Sequence, residues 1–207
     1  MAEQRLVLLG AGGHARSCID VIEREARFSI DRILGLPADE GKPLLGYKVT
    51  GTDDSLEILV TTVANALVTI GQIHSAEPRK NLFARAKAAG FMLPVIVSPQ
   101  AYVSPHSSIG EGSIIMPGAV IAAGVIIGRN CIINTRASMD HDAIIGDHCH
   151  VSSGAILNGG VTAGDDCFIG SGAILREGIR IGGASFIGMG MRVLDDLPAQ
   201  SRYTRHG

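Results

Sequence analysis

Val97–Pro198 reads VSPQAY (97–102), VSPHSS (103–108), IGEGSI (109–114), IMPGAV (115–120), IAAGVI (121–126), IGRNCI (127–132), INTRAS (133–138), MDHDAI (139–144), IGDHCH (145–150), VSSGAI (151–156), LNGGVT (157–162), AGDDCF (163–168), IGSGAI (169–174), LREGIR (175–180), IGGASF (181–186), IGMGMR (187–192) and VLDDLP (193–198). These are 17 consecutive units of six residues with no insertion. The first position is Val, Ile or Leu in 15 of the 17, with Met139 and Ala163 as the exceptions, and the fifth is mostly small. Two inward positions per six residues fit neither a helix of 3.6 residues per turn nor the alternation of a long strand. They fit a hexapeptide β-helix, in which three hexads complete one triangular turn and residues 18 apart stack. Turns spaced by roughly 4.8 Å make a left-handed prism on the order of 27 Å tall. Gly110, Gly128, Gly146, Gly170 and Gly182 are read as glycines that let the corners turn without a Cβ clash.

The repeat claims half of the 207 residues, so the residues before it form a second unit. A hydrophobic content of 46%, a charged content of 18% and a net charge of −2 describe a soluble protein, with no case for nucleic acid or an anionic membrane surface. No apolar run approaches the ~20 residues of a membrane span, and Met1–Arg5 lacks a secretory signal; a cytoplasmic protein is expected. Cys131, Cys149 and Cys167 recur every 18 residues at the fifth hexad position, so they are expected to stack inward as small hydrophobes, and Cys18 has a packing role in the first helix.

At the start, the apolar run Arg5–Leu9 leads into Gly10-Ala11-Gly12-Gly13-His14-Ala15, then a helical pattern with Ala15, Ile19, Ile22 and Ala26 on one face. Further strands are expected at Ile30–Leu34, Tyr47–Thr50 and Ala66–Ile70. A helix capped by Ser75 carries the stripe Leu82, Phe83, Ala86 and Ala89 and stops at Gly90. The fold class is thus an α/β, Rossmann-like βαβ domain over residues 1–92, followed by an all-β left-handed parallel β-helix over 93–207. The glycine loop places backbone N–H groups at a helix N-terminus, which reads either as a phosphate site or as a tight strand-to-helix turn. A dinucleotide fold needs more than these ~90 residues, so a mononucleotide or nucleotide sugar suits the loop better than NAD.

The prism contains His106, His141, His148 and His150. A three-histidine zinc centre needs two of them in register two turns apart, and His106 and His141 are 35 residues apart where 36 would align them; no metal is expected. In Asp140-His141-Asp142 the imidazole is flanked by carboxylates able to fix its tautomer and stabilise its protonated form. The group reads either as a general base with an acidic partner or as solvated polar residues at a corner.

LVLLGAGGHA at the start, the short βαβ unit, and Ile133-Asn134-Thr135 followed by Asp140-His141-Asp142, Ile144-Ile145-Gly146 and His150-Val151-Ser152 together resemble the sialic-acid O-acetyltransferase-like (NeuD/PglD) family of hexapeptide-repeat sugar acyltransferases. The resemblance covers nearly the whole chain, apart from its last ten or so residues. It implies a homotrimer that uses acetyl-CoA to acetylate the amine of a nucleotide-activated, UDP-linked 4-amino-4,6-dideoxy sugar for bacterial surface glycan or glycoprotein synthesis. It also implies His141 as general base with Asp142 as its acidic partner, and His150 as a contact to the thioester region of acetyl-CoA. Gly159, one turn above His141, is a candidate oxyanion donor, and Gly10, Gly12, Gly13 and His14 would hold the nucleotide sugar. Relatives tend to carry two acidic residues after the second strand where this chain has Ala38-Asp39, which leaves Asp39 for the nucleoside. The family's usual Gly-x-Pro-Ala-Lys ending is replaced by Ala199–Gly207. Two other functions fit the same residues: O-acetylation of sialic acid or a related sugar hydroxyl, and a non-catalytic trimeric nucleotide-binding scaffold.

Overall fold

The computed structural model describes residues 4–204, and their contacts divide into two compact units. One runs up to Gly71 and includes Glu77–Ile96; the other joins Gln72–Ala76 to the chain from Val97 onward.

In the first unit, β1 (Gln4–Leu9), α1 (Gly13–Glu25), β2 (Phe28–Leu34), β3 (Pro43–Leu44), β4 (Tyr47–Lys48), α2 (Leu56–Leu59), β5 (Asn65–Val68) and α3 (Glu77–Ala89) follow in order. A parallel sheet of order β2-β1-β5 forms the centre. Leu6, Val7, Leu8 and Leu9 are fully buried, because a central strand covered on both faces has no polar side. α1 buries Ala15, Cys18, Ile19, Val21 and Ile22. Ala26, expected on that face, is instead the exposed C-cap with φ 55°, which ends the helix. The expected strand at Tyr47–Thr50 is mostly an arm of a β3–β4 hairpin, and only Val49 forms a parallel bridge, to Ile33. α3 starts at Glu77, two residues beyond the expected Ser75 cap, because Pro78 is accommodated in its first turn. It ends before Gly90, whose φ of 101° excludes helical continuation.

The second unit is a parallel β-solenoid whose two-residue strands stack into three sheets. One face is Tyr102–Val103, Val120–Ile121, Ser138–Met139, Ile156–Leu157, Ile174–Leu175 and Arg192–Val193; the next runs from Ser108–Ile109 through Ile126–Ile127, Ile144–Ile145 and Thr162–Ala163 to Arg180–Ile181. The third includes Ile132–Ile133, His150–Val151, Phe168–Ile169 and Phe186–Ile187. Through Arg192–Val193, successive strands of a face are 18 residues apart, as Ile132 and His150 are, whereas the last rung closes at an offset of 16, Phe186 on Arg202. The first and fifth hexad positions fill the interior from Ile115 to Val193, and Met139 and Ala163 keep that inward direction. Cys131, Cys149 and Cys167 are free and fully buried, each thiol directed at a glycine carbonyl, as Cys149 Sγ is at Gly164 O (3.1 Å).

Glycines at the second hexad position serve a different need from the one expected. Gly128 is not left-handed; a Cβ there would stand 2.5 Å from the carbonyl carbon of Gly146 in the next turn, so these glycines let turns stack rather than let corners bend. Corner bending falls to the fourth position, where φ is positive and Asn130, Arg136, Asp142, His148, Asp166 and Ala184 are tolerated beside glycines. The solenoid also continues past Pro198. Arg202–Tyr203 adds a strand to the third face against Phe186–Ile187, so the atypical ending is built into the repeat; Arg205, His206 and Gly207 lie outside the described residues.

Candidate active site

His141 sits in the turn between the strands Ser138–Met139 and Ile144–Ile145, at the third hexad position, where side chains leave the prism. Its ring is well exposed, and Nδ1 lies 2.9 Å from Asp142 Oδ2. An ionised carboxylate only accepts hydrogen bonds, so Nδ1 carries the proton and the Nε2 lone pair is left for a substrate. Asp142 is held for this role by its left-handed backbone, φ 61°, and by its N–H bonded to Ala123 O at 3.1 Å. On the other side, Asp140 Oδ1 accepts the His141 N–H at 2.8 Å. The hydrogen bond to Asp142 and then the negative charge of Asp140 raise the His141 pKa above its ordinary value. The two neighbouring carboxylates thus favour the protonated imidazole at this corner.

Gly159 lies directly above. A Cβ on it would stand 2.6 Å from both Cε1 and Nε2 of His141, so the imidazole covers this glycine. Gly159 donates no backbone hydrogen bond among the described residues. At two other third positions the N–H is taken by a carboxylate one turn above, Arg129 by Asp147 (2.7 Å) and Asp147 by Asp165 (2.8 Å). No carboxylate takes the Gly159 N–H among the described residues.

His150 occupies an outward position but is only 7% exposed, because the carbonyl of Gln72 accepts from its Nδ1 at 2.7 Å. Its Nε2 lies 3.1 Å from Asn134 Nδ2, so both ring nitrogens have partners and the ring is held in place. It meets the edge of Phe168 (ring centroids 5.3 Å apart), which stacks on Phe186 one turn above at 5.1 Å. These rings and Ile73, Met189, Met191 and Thr204 line a largely apolar cavity of about 770 Å³. His141 and Asp142 are not among its lining residues. Phe168 and Phe186 are legible in the sequence only as aromatics 18 apart at the sixth hexad position, a signal the reading above does not use.

In the other unit, Gly10, Gly12 and Asp39 come together around a cavity of about 280 Å³ with Leu34, Leu36, Asp53, Ile70 and Leu82. Gly13 opens α1 and His14 follows in its first turn; neither lines the cavity. Gly10 has φ 119°, and a Cβ there would stand 2.6 Å from Ile70 Cγ1, so glycine is required by the fold. A Cβ on Gly12 or Gly13 meets no heavy atom within 4 Å, so packing does not explain those two. Asp39 is bonded to Lys42 (2.9 Å), which holds its carboxyl below the ordinary range. Asp53, absent from the sequence-based candidates, supplies a second carboxylate and is paired with Arg85. Its position 14 residues after Asp39 carries no motif; only folding brings the two together. No group of three or more His, Cys, Asp or Glu among the described residues is placed to hold a metal ion.

Comparison with known proteins adds a second line of observation. The family model for the PglD N-terminal domain matches residues 5–86, and that for bacterial transferase hexapeptide (six repeats) matches residues 106–138. No curated protein matches the chain. Among solved structures, a mutant of perosamine N-acetyltransferase from Caulobacter crescentus, in complex with CoA and GDP-perosamine, is 34% identical with a TM-score of 0.87; the match covers 96% of this chain and 92% of that one. The acetyltransferase domain of PglB from Neisseria gonorrhoeae FA1090, in complex with acetyl coenzyme A, is 31% identical with a TM-score of 0.88, over 96% and 95% of the two chains. WeeI from Acinetobacter baumannii AYE, 22% identical over 95% and 94% with a TM-score of 0.79, shares the fold. Both the glycine-loop unit and the solenoid are matched, in the same order and over nearly their full length, and the chain belongs to the sialic-acid O-acetyltransferase-like (NeuD/PglD) family of hexapeptide-repeat sugar acyltransferases.

Proposed function

We propose that this protein transfers the acetyl group of acetyl-CoA to the amine of a nucleotide-linked amino-deoxy sugar. The observation that carries the reading is the His141–Asp142 pair beneath the uncommitted N–H of Gly159. The sugar amine attacks the thioester carbonyl while Nε2 of His141 removes a proton from the nitrogen. The negative oxygen of the tetrahedral intermediate accepts from the Gly159 N–H. As the intermediate collapses, the C–S bond breaks and the imidazolium returns the proton to the departing thiolate, leaving amide and free CoA. Asp142 stabilises the imidazolium while it exists.

His150 and the cavity beside it would take the thioester end of acetyl-CoA, and the domain of residues 1–92 would hold the nucleotide sugar, with its pyrophosphate at Gly10, Gly12, Gly13 and His14 and its nucleoside toward Asp39. His141 and His150 lie on separate surfaces of one prism, so the reading includes a homotrimer in which the corner of one copy meets the third face of the next. Cytoplasmic placement follows from the substrates, which are intracellular metabolites in their activated form. The test is the release of free thiol from acetyl-CoA with a panel of UDP- and GDP-linked amino sugars. Formation of an alkali-stable acetylated product by one of them is expected, and an alkali-labile ester would transfer the reaction to a hydroxyl acceptor. No thiol release from any member of the panel would refute the reading.

A further inference from the structure

We propose that Gly124 and Gly159 are positioning residues for the His141–Asp142 pair, each required because the carboxylate or the imidazole occupies the place where a methyl group would stand. The consequence for turnover rests on His141 acting as the base, whereas the consequence for the imidazole's own titration does not.

The two glycines flank the pair from adjacent turns. Asp142 uses Oδ2 to accept from His141, and its Oδ1 rests on Gly124 closer than any Cβ would permit. The imidazole in turn rests on Gly159, with Cε1 and Nε2 each 2.6 Å, and Cδ2 3.2 Å, from the place of a Cβ. Carboxylate and ring are therefore stacked between two bare backbones. In each case the obstructed group is the end of a rotatable side chain, so an added methyl is relieved by turning that side chain and not by opening the solenoid. Turning either one breaks a hydrogen bond that depends on both.

Backbone conformation does not account for Gly159 and is not the whole account of Gly124. Gly159 has no positive φ, so any residue can adopt its conformation. Gly124 has φ 76°, but Ala184 holds φ 57° and Arg136 φ 57° at the same hexad position. Stacking between turns does not account for them either, since the closest contacts of both are to the catalytic side chains rather than to neighbouring backbone. Gly160 supplies an internal control. It has φ 69°, it adjoins Gly159, and its Cβ would meet only backbone of Gly178, the Cα at 3.8 Å.

Gly159→Ala, Gly124→Ala and Gly160→Ala in the full chain test this, each checked for thermal unfolding. The His141 imidazole is titrated by NMR, with its resonance assigned by loss in His141→Gln. In the native protein Asp142 and Asp140 are the charged groups that raise its midpoint. Gly159→Ala and Gly124→Ala are expected to lower that midpoint and to reduce kcat about 10- to 100-fold, less than the roughly 10²- to 10⁴-fold cost of removing a general base outright, with KM for both substrates changed less than about twofold. Gly160→Ala is expected to retain both midpoint and kcat. Alanine keeps the Gly159 N–H, so a role limited to hydrogen-bond donation leaves Gly159→Ala unchanged. A folded Gly159→Ala with native midpoint and native kcat overturns the proposal, as does a loss in Gly160→Ala equal to that in the other two. Displaced midpoints in a protein that turns over no acetyl-CoA would uphold the positioning role and reject the acetyl-transfer reading.

Discussion

The His141 side chain is 67% exposed, yet its pKa is raised, because a hydrogen bond from Nδ1 to Asp142 and the charge of Asp140 both favour the imidazolium. A base of raised pKa is protonated, and so inactive, over a wider acid range. With His141 as the base, kcat/KM falls as pH falls through this raised value. Asp142→Asn removes a negative charge and replaces an acceptor-only carboxylate with an amide that can also donate, so the tautomer is no longer fixed. The acid limb of the pH profile should then move to lower pH, while the plateau rate drops; a limb that stays in place would separate Asp142 from the base. His141→Ala should lower kcat about 10²- to 10⁴-fold with the sugar nucleotide and acetyl-CoA both saturating, the usual cost of losing a general base.

The glycine loop between β1 and α1 divides into one residue the fold needs and two it does not. Gly10 is fixed by its φ of 119° and by Ile70, whereas Gly12 and Gly13 face open space at the start of a 13-residue helix. Gly12→Val or Gly13→Val should therefore leave thermal unfolding nearly unchanged, raise KM for the sugar nucleotide, and leave KM for acetyl-CoA untouched. An unchanged sugar-nucleotide KM in a folded variant would remove the loop from the site. The solenoid strands make the opposite demand. Leu157 and Ile145 are fully buried in the stacked interior column. Leu157→Ala should cost about 2–5 kcal/mol, measured by denaturant unfolding, because a cavity in a stacked core relaxes little.

The solenoid leaves two faces with outward hydrophobic side chains, Tyr102, Val120 and Ile156 on one and Ile126 and Ile144 on the next, exposed between 37% and 59%. They flank the corner that carries His141. Exposed hydrophobic columns of this kind are what a threefold assembly would cover, and they are continuous with the corner that the reaction would use. Sedimentation should give a trimer at micromolar concentration. Ile126→Glu with Ile144→Glu should shift it toward monomer and abolish turnover while the monomer keeps its solenoid circular dichroism. A stable wild-type monomer would sink both the trimer and a site shared between copies.

Much of this protein is written in one local rule. A six-residue phase sets which side chains enter the prism, so Val97–Pro198 was legible as a solenoid, Cys131, Cys149 and Cys167 as an inward column, and Asp140-His141-Asp142 as an outward corner one turn below Gly159. Periodicity of that kind needs no knowledge of distant contacts, because up to the last turn the stacked neighbours lie a fixed 18 positions away. The features that escaped are those whose partners lie at no fixed interval. Outward-phased His150 is buried because a carbonyl 78 residues earlier reaches its Nδ1, and Asp53 joins Asp39 around one cavity only after β2 and β5 are placed on β1. The distinct duties of second- and fourth-position glycines also emerged only in three dimensions: the phase assigns both to turns, but clearance between stacked backbones and the sign of φ are properties of the assembled coil.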